Sequence, residues 1–354
     1  CSLMISVLCF MTAISGVSAA SYDTSKINDV YSKVVEYYKN NNNLNNADKI
    51  LAVESLGLEA ESNQFDTSSA DLSSTSLSKK IVTEVLLGVD PTEDKETLES
   101  QIDENGNVEG SWGASSDVWT LYALYATSSE KTNLLADKLN TDLASSSVCG
   151  YEWGGTYYAD YDTTGWVIEG LAVVNKEKYA TTINKAIDYI KNNTTMTTTG
   201  WVTADNVDTQ SQVLEGMFAY DTNALLNDSY TVHPVDCLLN TQLSDGSFPS
   251  GYNAEYTTAE VAKTLGTYKN GSVIIKAKKA YDKMMNPEQP DNTKPAQPTD
   301  TKKDSQSTNK VETTNQKTTS VKTGDETNVV IFVSLSMVSG GLFLVLRKEY
   351  ERVH

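Results

Sequence analysis

Apolar residues recur through most of the chain at three- and four-residue intervals, as they do on helices that bury one face. Val167, Leu171 and Val174 mark such a face, and Val213 and Met217 repeat it downstream. The pattern predicts helices over 27–39 and 47–58 as one hairpin, and over 76–87, ending at Gly88, and 92–102 as the next. Further helices fall at 130–143, 176–191, 234–242 and 273–285, and others open near Asp117, Asp162, Asp208 and Tyr256. An Asp or Thr at such an opening can accept the free amide protons of the first turn, so Asp162 and Asp208 read as N-caps.

The helices recur within a longer repeat. Four Gly-aromatic turns, Gly110-Ser111-Trp112, Trp153-Gly154-Gly155, Gly200-Trp201 and Asp245-Gly246-Ser247-Phe248, each precede a polar stretch and an amphipathic helix. Their aromatics are 41, 48 and 47 residues apart, in the range of two-helix repeats. The helices align without gaps: Asp162-Thr163-Thr164-Gly165-Trp166-Val167-Ile168-Glu169-Gly170-Leu171 lies against Asp208-Thr209-Gln210-Ser211-Gln212-Val213-Leu214-Glu215-Gly216-Met217. The stretch from Tyr256 to Leu265 fits the same frame, and Asp117-Val118-Trp119-Thr120 opens a looser copy. Gly165, Gly170, Gly216 and Gly266 would let helices approach closely, at about 1 kcal/mol of helix propensity each. Pairs of helices that bury only one flank must stack, either as an open solenoid or as a closed ring.

The two ends have another character. The apolar run from Leu3 to Phe10 decays into Val17-Ser18-Ala19-Ala20, the pattern of a secretory signal over 1–20 cleaved after Ala19 or Ala20. It lacks a basic opening and an initiator Met, so the natural start is expected a few residues upstream. Residues 287–327 hold four prolines near their start and no aromatic, Leu, Ile or Met, a composition that cannot offset its ordering entropy and predicts a disordered stalk. An uncharged apolar stretch, 329–346, is at the lower limit for a transmembrane helix. Arg347 and Lys348 follow it and place a short tail, 347–354, in the cytoplasm. The order of Val321-Lys322-Thr323-Gly324, apolar span and basic tail resembles the cell-wall sorting signal of Gram-positive surface proteins. In that family a sortase cleaves between the Thr and Gly of Leu-Pro-x-Thr-Gly, here Thr323 and Gly324, with Ser320-Val321 where Leu-Pro is expected. The resemblance implies sortase and the cell wall as partners; a simple membrane anchor is the other reading. Either way the body, 21–286, is displayed at the outer surface.

Composition narrows the chemistry. The formal net charge is −19, and eight of the 28 Lys and Arg lie beyond residue 300, so the body carries a disproportionate share of the acids. Such a body repels phosphate backbones and anionic bilayers, and nucleic acid is not expected as a partner. Two His and four Cys leave little for zinc, haem or iron–sulfur sites. Cys149 and Cys237, the only thiols of the mature body, could pair in an oxidising exterior or stay free.

Gln242-Leu243-Ser244-Asp245-Gly246-Ser247-Phe248 is close to the Gln-x-x-Asp-Gly-Ser/Gly-Trp/Phe repeat of the prenyltransferase and squalene-cyclase class. Leu87-Gly88-Val89-Asp90-Pro91-Thr92 and Asp160-Tyr161-Asp162-Thr163-Thr164 resemble segments of its bacterial surface members. The resemblance spans most of 26–285 and implies an all-α fold, an α/α toroid of about six helix pairs with a central cavity at one end.

Several chemistries of that class can be weighed on the residues. Class II terpenoid cyclases protonate an alkene with the middle acid of Asp-x-Asp-Asp; the resemblance makes Asp162 that acid, but Thr163 stands in the last position. His233, Asp236 and Cys237 could share a helical face as zinc ligands, but Pro234 fits a first helical turn and leaves His233 outside as a cap. Cys149-Gly150-Tyr151-Glu152 lacks the Gln of a complement-type thioester. Cobalamin carriers of intrinsic-factor type close their ligand against a β domain, which the residues after Met285 do not supply. Neither metal nor cofactor is expected. The leading expectation is a non-catalytic binding or adhesion module for an extracellular ligand, with cyclisation of a polyprene as the alternative and cobalamin-type capture as the second. Trp112, Trp153 and Trp201 read as repeat anchors wedged between helices. Trp119, Trp166, Tyr157, Tyr158 and Tyr161 are the candidates for a ligand cavity.

Overall fold

The computed structural model describes residues 22–61, 65, 74–202 and 206–287. The expected signal, stalk, sorting site at Thr323 and Gly324, apolar span and tail lie outside them. Among the described residues no helix is long and apolar enough to cross a membrane.

The described chain is all-α apart from one hairpin. In order, the elements are α1 (Ser25–Asn40), α2 (Ala47–Ser55), α3 (Ser74–Leu86), α4 (Thr92–Ser100), α5 (Ala114–Ala126), α6 (Thr132–Ser146), β1 (Gly150–Trp153) and β2 (Thr156–Ala159). They continue with α7 (Tyr161–Asn193), α8 (Met196–Thr199), α9 (Val207–Asn227), α10 (Pro234–Leu239), α11 (Ala254–Asn270) and α12 (Val273–Met285). The sequence pattern anticipates the longer helices to within a few residues, but neither the short α8 nor the hairpin. In the hairpin Gly154 and Gly155, both at positive φ, form the two-residue turn that joins the antiparallel strands, with Trp153 opposite Thr156.

Two helices break internally, the first where the sequence predicts a separate helix and the second where it predicts none. Asn175 leaves helical geometry inside α7 and accepts from the Lys178 amide at 3.0 Å; Asp221 does the same inside α9, accepting from Ala224 at 2.9 Å. Each is a cap that restarts the helix at a new angle. The two caps are separated by the same interval as Asp162 and Asp208, so the repeat extends beyond the aligned helices.

Caps elsewhere differ from expectation. Asp160 caps α7 through the Thr163 amide, and Asn206 stands at the equivalent place before α9. Asn46 caps α2, and Asn253 caps α11 through the amides of Glu255 and Tyr256. Asp162 and Asp208 are therefore not caps: each lies two residues inside its helix, with its carboxyl free to face the neighbouring helix.

The helices α5, α7, α9, α11 and α2 pack in succession and run parallel. Trp119 meets Trp166, and one turn later the Tyr122 hydroxyl donates to Glu169 at 2.8 Å, fixing α5 on α7. A Cβ on Gly165 would stand 2.4 Å from the Gln212 carbonyl, and one on Gly216 would stand 2.3 Å from that of Gly165. Backbone thus meets backbone between α7 and α9. Gln212 donates to Glu260 at 3.1 Å and Thr267 to Glu215 at 3.3 Å, joining α9 to α11. Lys49 pairs with Glu255 at 2.8 Å, and a Gly266 Cβ would stand 2.5 Å from the Ser55 carbonyl, so α11 returns onto α2. Between α2 and α5 lies α3, joined by Lys79–Asp48 at 2.9 Å and Ser78–Thr120 at 3.4 Å. Parallel neighbours need a return path. α4, α6, the second half of α7 with α8, and the end of α9 with α10 provide it.

The best-preserved motif turns out to be a clamp. Gln242 donates to the carbonyls of Val30 and Gly246, both at 3.1 Å, and Asp245 accepts from the Ser247 amide and hydroxyl. Gly246, at φ +92, lies against the Lys33 backbone, where a side chain would collide, and Phe248 is fully buried. The motif pins α1 to the turn before α11.

Candidate functional site

Because five helices run parallel, the loops that precede them collect at one end. Those loops carry the exposed aromatics: Trp112 before α5, Tyr157 and Tyr158 on β2 before α7, and Tyr252 before α11. Trp112 is 72% exposed, so it is not the wedge that the sequence suggests. Its loop instead binds itself, Ser111 donating to Asp117 at 2.5 Å and accepting from the Gly113 amide, which leaves the indole outside. Tyr157 and Tyr158 are 45% and 44% exposed, the Tyr157 hydroxyl donating to the Val148 carbonyl. Trp201 does pack, edge-on to Tyr161 with centroids 5.0 Å apart.

The five candidate aromatics separate. Trp119 and Trp166 come together below this end, edge to face at 5.8 Å and buried. Tyr161 belongs to the Trp201 contact, and Tyr157 and Tyr158 stand on the rim.

Below the rim the interior is ionic. Lys79 and Lys263 lie over the Trp119 ring at 4.5 and 5.3 Å, each with a carboxylate partner: Asp48 at 2.9 Å and Glu260 at 3.0 Å. One turn deeper are Glu169, which accepts from Ser272 at 2.6 Å and from Tyr122, and Glu215. Burial pushes both of these carboxyls above the usual range, and Glu169 adds its charge to the rise at Glu215. Burial alone would depress Lys263, but Glu260, Glu215 and Asp48 together hold its ammonium above its ordinary value. For Asp48, burial is the largest single effect and would raise the carboxyl, but the Lys79 charge and hydrogen bond together with the Lys263 charge hold it below its ordinary value. In the gap-free frame Trp166, Gln212 and Glu260 share one level and Glu169, Glu215 and Lys263 the next, with Trp119 against Trp166 and Tyr122 against Glu169.

At the mouth, Asp162 accepts from the Thr209 side chain, and Asp208 accepts from the Tyr252 hydroxyl at 2.6 Å. Asp162 is pushed up to about 8, first by burial and then by the charge of Asp160, so it holds a proton at neutral pH. A carboxyl that binds its proton more tightly folded than unfolded stabilises the fold fully below its unfolded value near 4. That contribution is lost as pH rises toward 8. Asp162→Asn keeps the shape without the charge. The variant is expected to melt like wild type at pH 4 and to be more stable by about 2 kcal/mol at pH 9 in thermal melts, less than the full shift because part of Asp162 reaches solvent.

Cys149 is buried, its thiol pushed up to about 12 by burial and then by Asp160, and both it and Cys237 are free. Cys237 lies against Gly200, its Sγ directed to the Thr199 carbonyl at 3.5 Å. His233 accepts from the Val235 amide at 3.3 Å as the cap of α10.

Sequence reasoning missed Glu169, Glu215, Glu260 and Lys263. Their signal was present: Val-Ile-Glu-Gly-Leu and Val-Leu-Glu-Gly-Met repeat a charge inside an apolar run at one position of the frame. Compared with known proteins, the chain matches no family model, no curated protein and no solved structure, so its resemblances rest on the residues above.

Proposed function

We propose that the chain is an α/α toroid displayed at an outer cell surface, where it binds an extracellular ligand without chemical conversion. The contacts of α2, α3, α5, α7, α9 and α11, with α11 returning onto α2, support the toroid. The signal-like start, stalk composition and sorting-like Thr323-Gly324 support display by sortase, the cell wall or a membrane segment. The observation that carries the binding reading is the collection of Trp112, Tyr157, Tyr158 and Tyr252 in the loops at one end, all exposed. Rigid aromatics with polar tips give large contact area at little cost in side-chain entropy. An acidic body makes nucleic acid and anionic lipid unfavourable ligands.

The second reading is class II cyclisation, favoured by the proton on Asp162. Two ammonium groups over the Trp119 ring oppose it, since a carbocation beside that ring would meet like charge. Incubating the chain with polyprenes is expected to give no cyclised product.

The binding reading is tested by screening the full chain against glycan and peptide arrays beside the Trp112→Ala/Tyr158→Ala variant. Binding by the wild type that falls at least tenfold in the variant is the expected result. Equal binding by both would move the ligand site elsewhere.

A further inference from the structure

We propose that a hollow beside the rim takes a neutral, hydroxylated ligand of monosaccharide size. It is a site of its own at the end that carries the rim aromatics, none of which lines it. The hollow, about 290 Å³, lies where the C-terminal end of α1 meets the first turns of α2 and α11. That is the small end of the roughly 300–1,000 Å³ of small-molecule sites, room for one ring.

Its lining decides the chemistry. Tyr37 and Tyr38 supply aromatic surface, set edge to face at 5.3 Å, with Tyr37 half-buried and Tyr38 buried beneath it. The run from Asn40 to Asn43 supplies four consecutive carboxamides, each able to donate and accept. Asn41 and Asn40 turn their amide nitrogens back onto α1, to the Tyr37 carbonyl at 2.9 Å and to Glu36 at 3.4 Å, which fixes the loop. The two charges present, Lys49 and Glu255, pair with each other at 2.8 Å, and Lys49 also donates to Asn45 at 3.3 Å.

A phosphate, carboxylate or amine would therefore have to compete with an existing ion pair. A purely apolar ligand would strip water from the amides at about 1–3 kcal/mol each. Vicinal hydroxyls, which donate and accept as amides do, on a ring whose C–H face lies against tyrosine, meet both demands.

The test is calorimetric titration of the full chain with glucose, galactose, mannose and N-acetylglucosamine, and with glucose 6-phosphate and glucosamine as charged comparators. At least one neutral sugar is expected to bind and to prefer the chain over its charged counterpart, with Tyr37→Ala and Asn43→Ala each weakening it at least tenfold. Asn43 is exposed, so its variant leaves the fold intact, as circular dichroism would check. Trp112→Ala/Tyr158→Ala should leave sugar binding unchanged. No neutral sugar binding, tighter binding of a charged comparator, or binding untouched in both hollow variants would overturn the inference. If an array ligand is lost with the rim aromatics while no sugar binds, the inference alone fails. If sugar binding holds and the rim variant binds every array ligand as wild type does, the rim reading alone fails.

Discussion

Lys263→Met lowers the stability of the chain by about 3–5 kcal/mol, measured by urea unfolding at pH 7. Lys263 is buried, its ammonium 3.0 Å from Glu260, which is also fully buried and has one carboxylate oxygen without a partner. Glu215 and Asp48 face the same ammonium. Met fills the volume of the stem and deletes the positive charge paired with Glu260, leaving that buried carboxylate with the Gln212 amide and near the like charges of Glu215 and Asp48. The double variant Lys263→Met/Glu260→Gln removes the orphaned charge and keeps an amide opposite Gln212. It is expected to recover most of the loss, because a buried pair replaced as a unit is often near neutral. A single variant as stable as wild type would mean that the interior is not held by this pair.

Gly216→Ala is expected to cost about 2–3 kcal/mol, although Ala favours a helix over Gly by about 1 kcal/mol. The added methyl would lie 2.3 Å from the Gly165 carbonyl and 3.2 Å from Ile168, and backbone cannot move aside without separating α7 from α9. Gly170→Ala is the contrast. Its methyl would meet only side-chain atoms of Leu121, Tyr122 and Val118 at 3.2–3.3 Å, so small rotations accommodate it and the change is expected to stay within about 1 kcal/mol. Thermal melts of the two variants should therefore separate. Equal losses would show that α7 and α9 are not in backbone contact.

These two predictions draw on different degrees of legibility. The glycines were readable: small residues at Gly165, Gly170, Gly216 and Gly266 in a gap-free repeat announce close helix approach, and each faces a neighbouring helix. The helices were readable because their apolar face has a 3.6-residue period. The caps were not, because Asp160 and Asp162 stand two residues apart and either could cap; only backbone geometry assigns the role to Asp160. The ionic interior was hidden for a related reason. Periodicity reports which face of one helix is apolar, whereas Glu215 and Lys263 are compatible with burial only when five parallel helices bring their charges together. Trp112 misled because an aromatic beside a glycine marks a turn equally well whether the ring points in or out.

The contact of α11 with α2 is what brings the loops into one face. Zero-length carbodiimide cross-linking followed by peptide mass spectrometry tests it directly, because the reagent joins an amine to a carboxyl only in ion-pair contact. A Lys49–Glu255 cross-link is expected, joining helices about 200 residues apart in sequence, alongside the local Lys278–Asp282 link at 2.9 Å as internal control. Recovery of the local link without Lys49–Glu255 would contradict that contact.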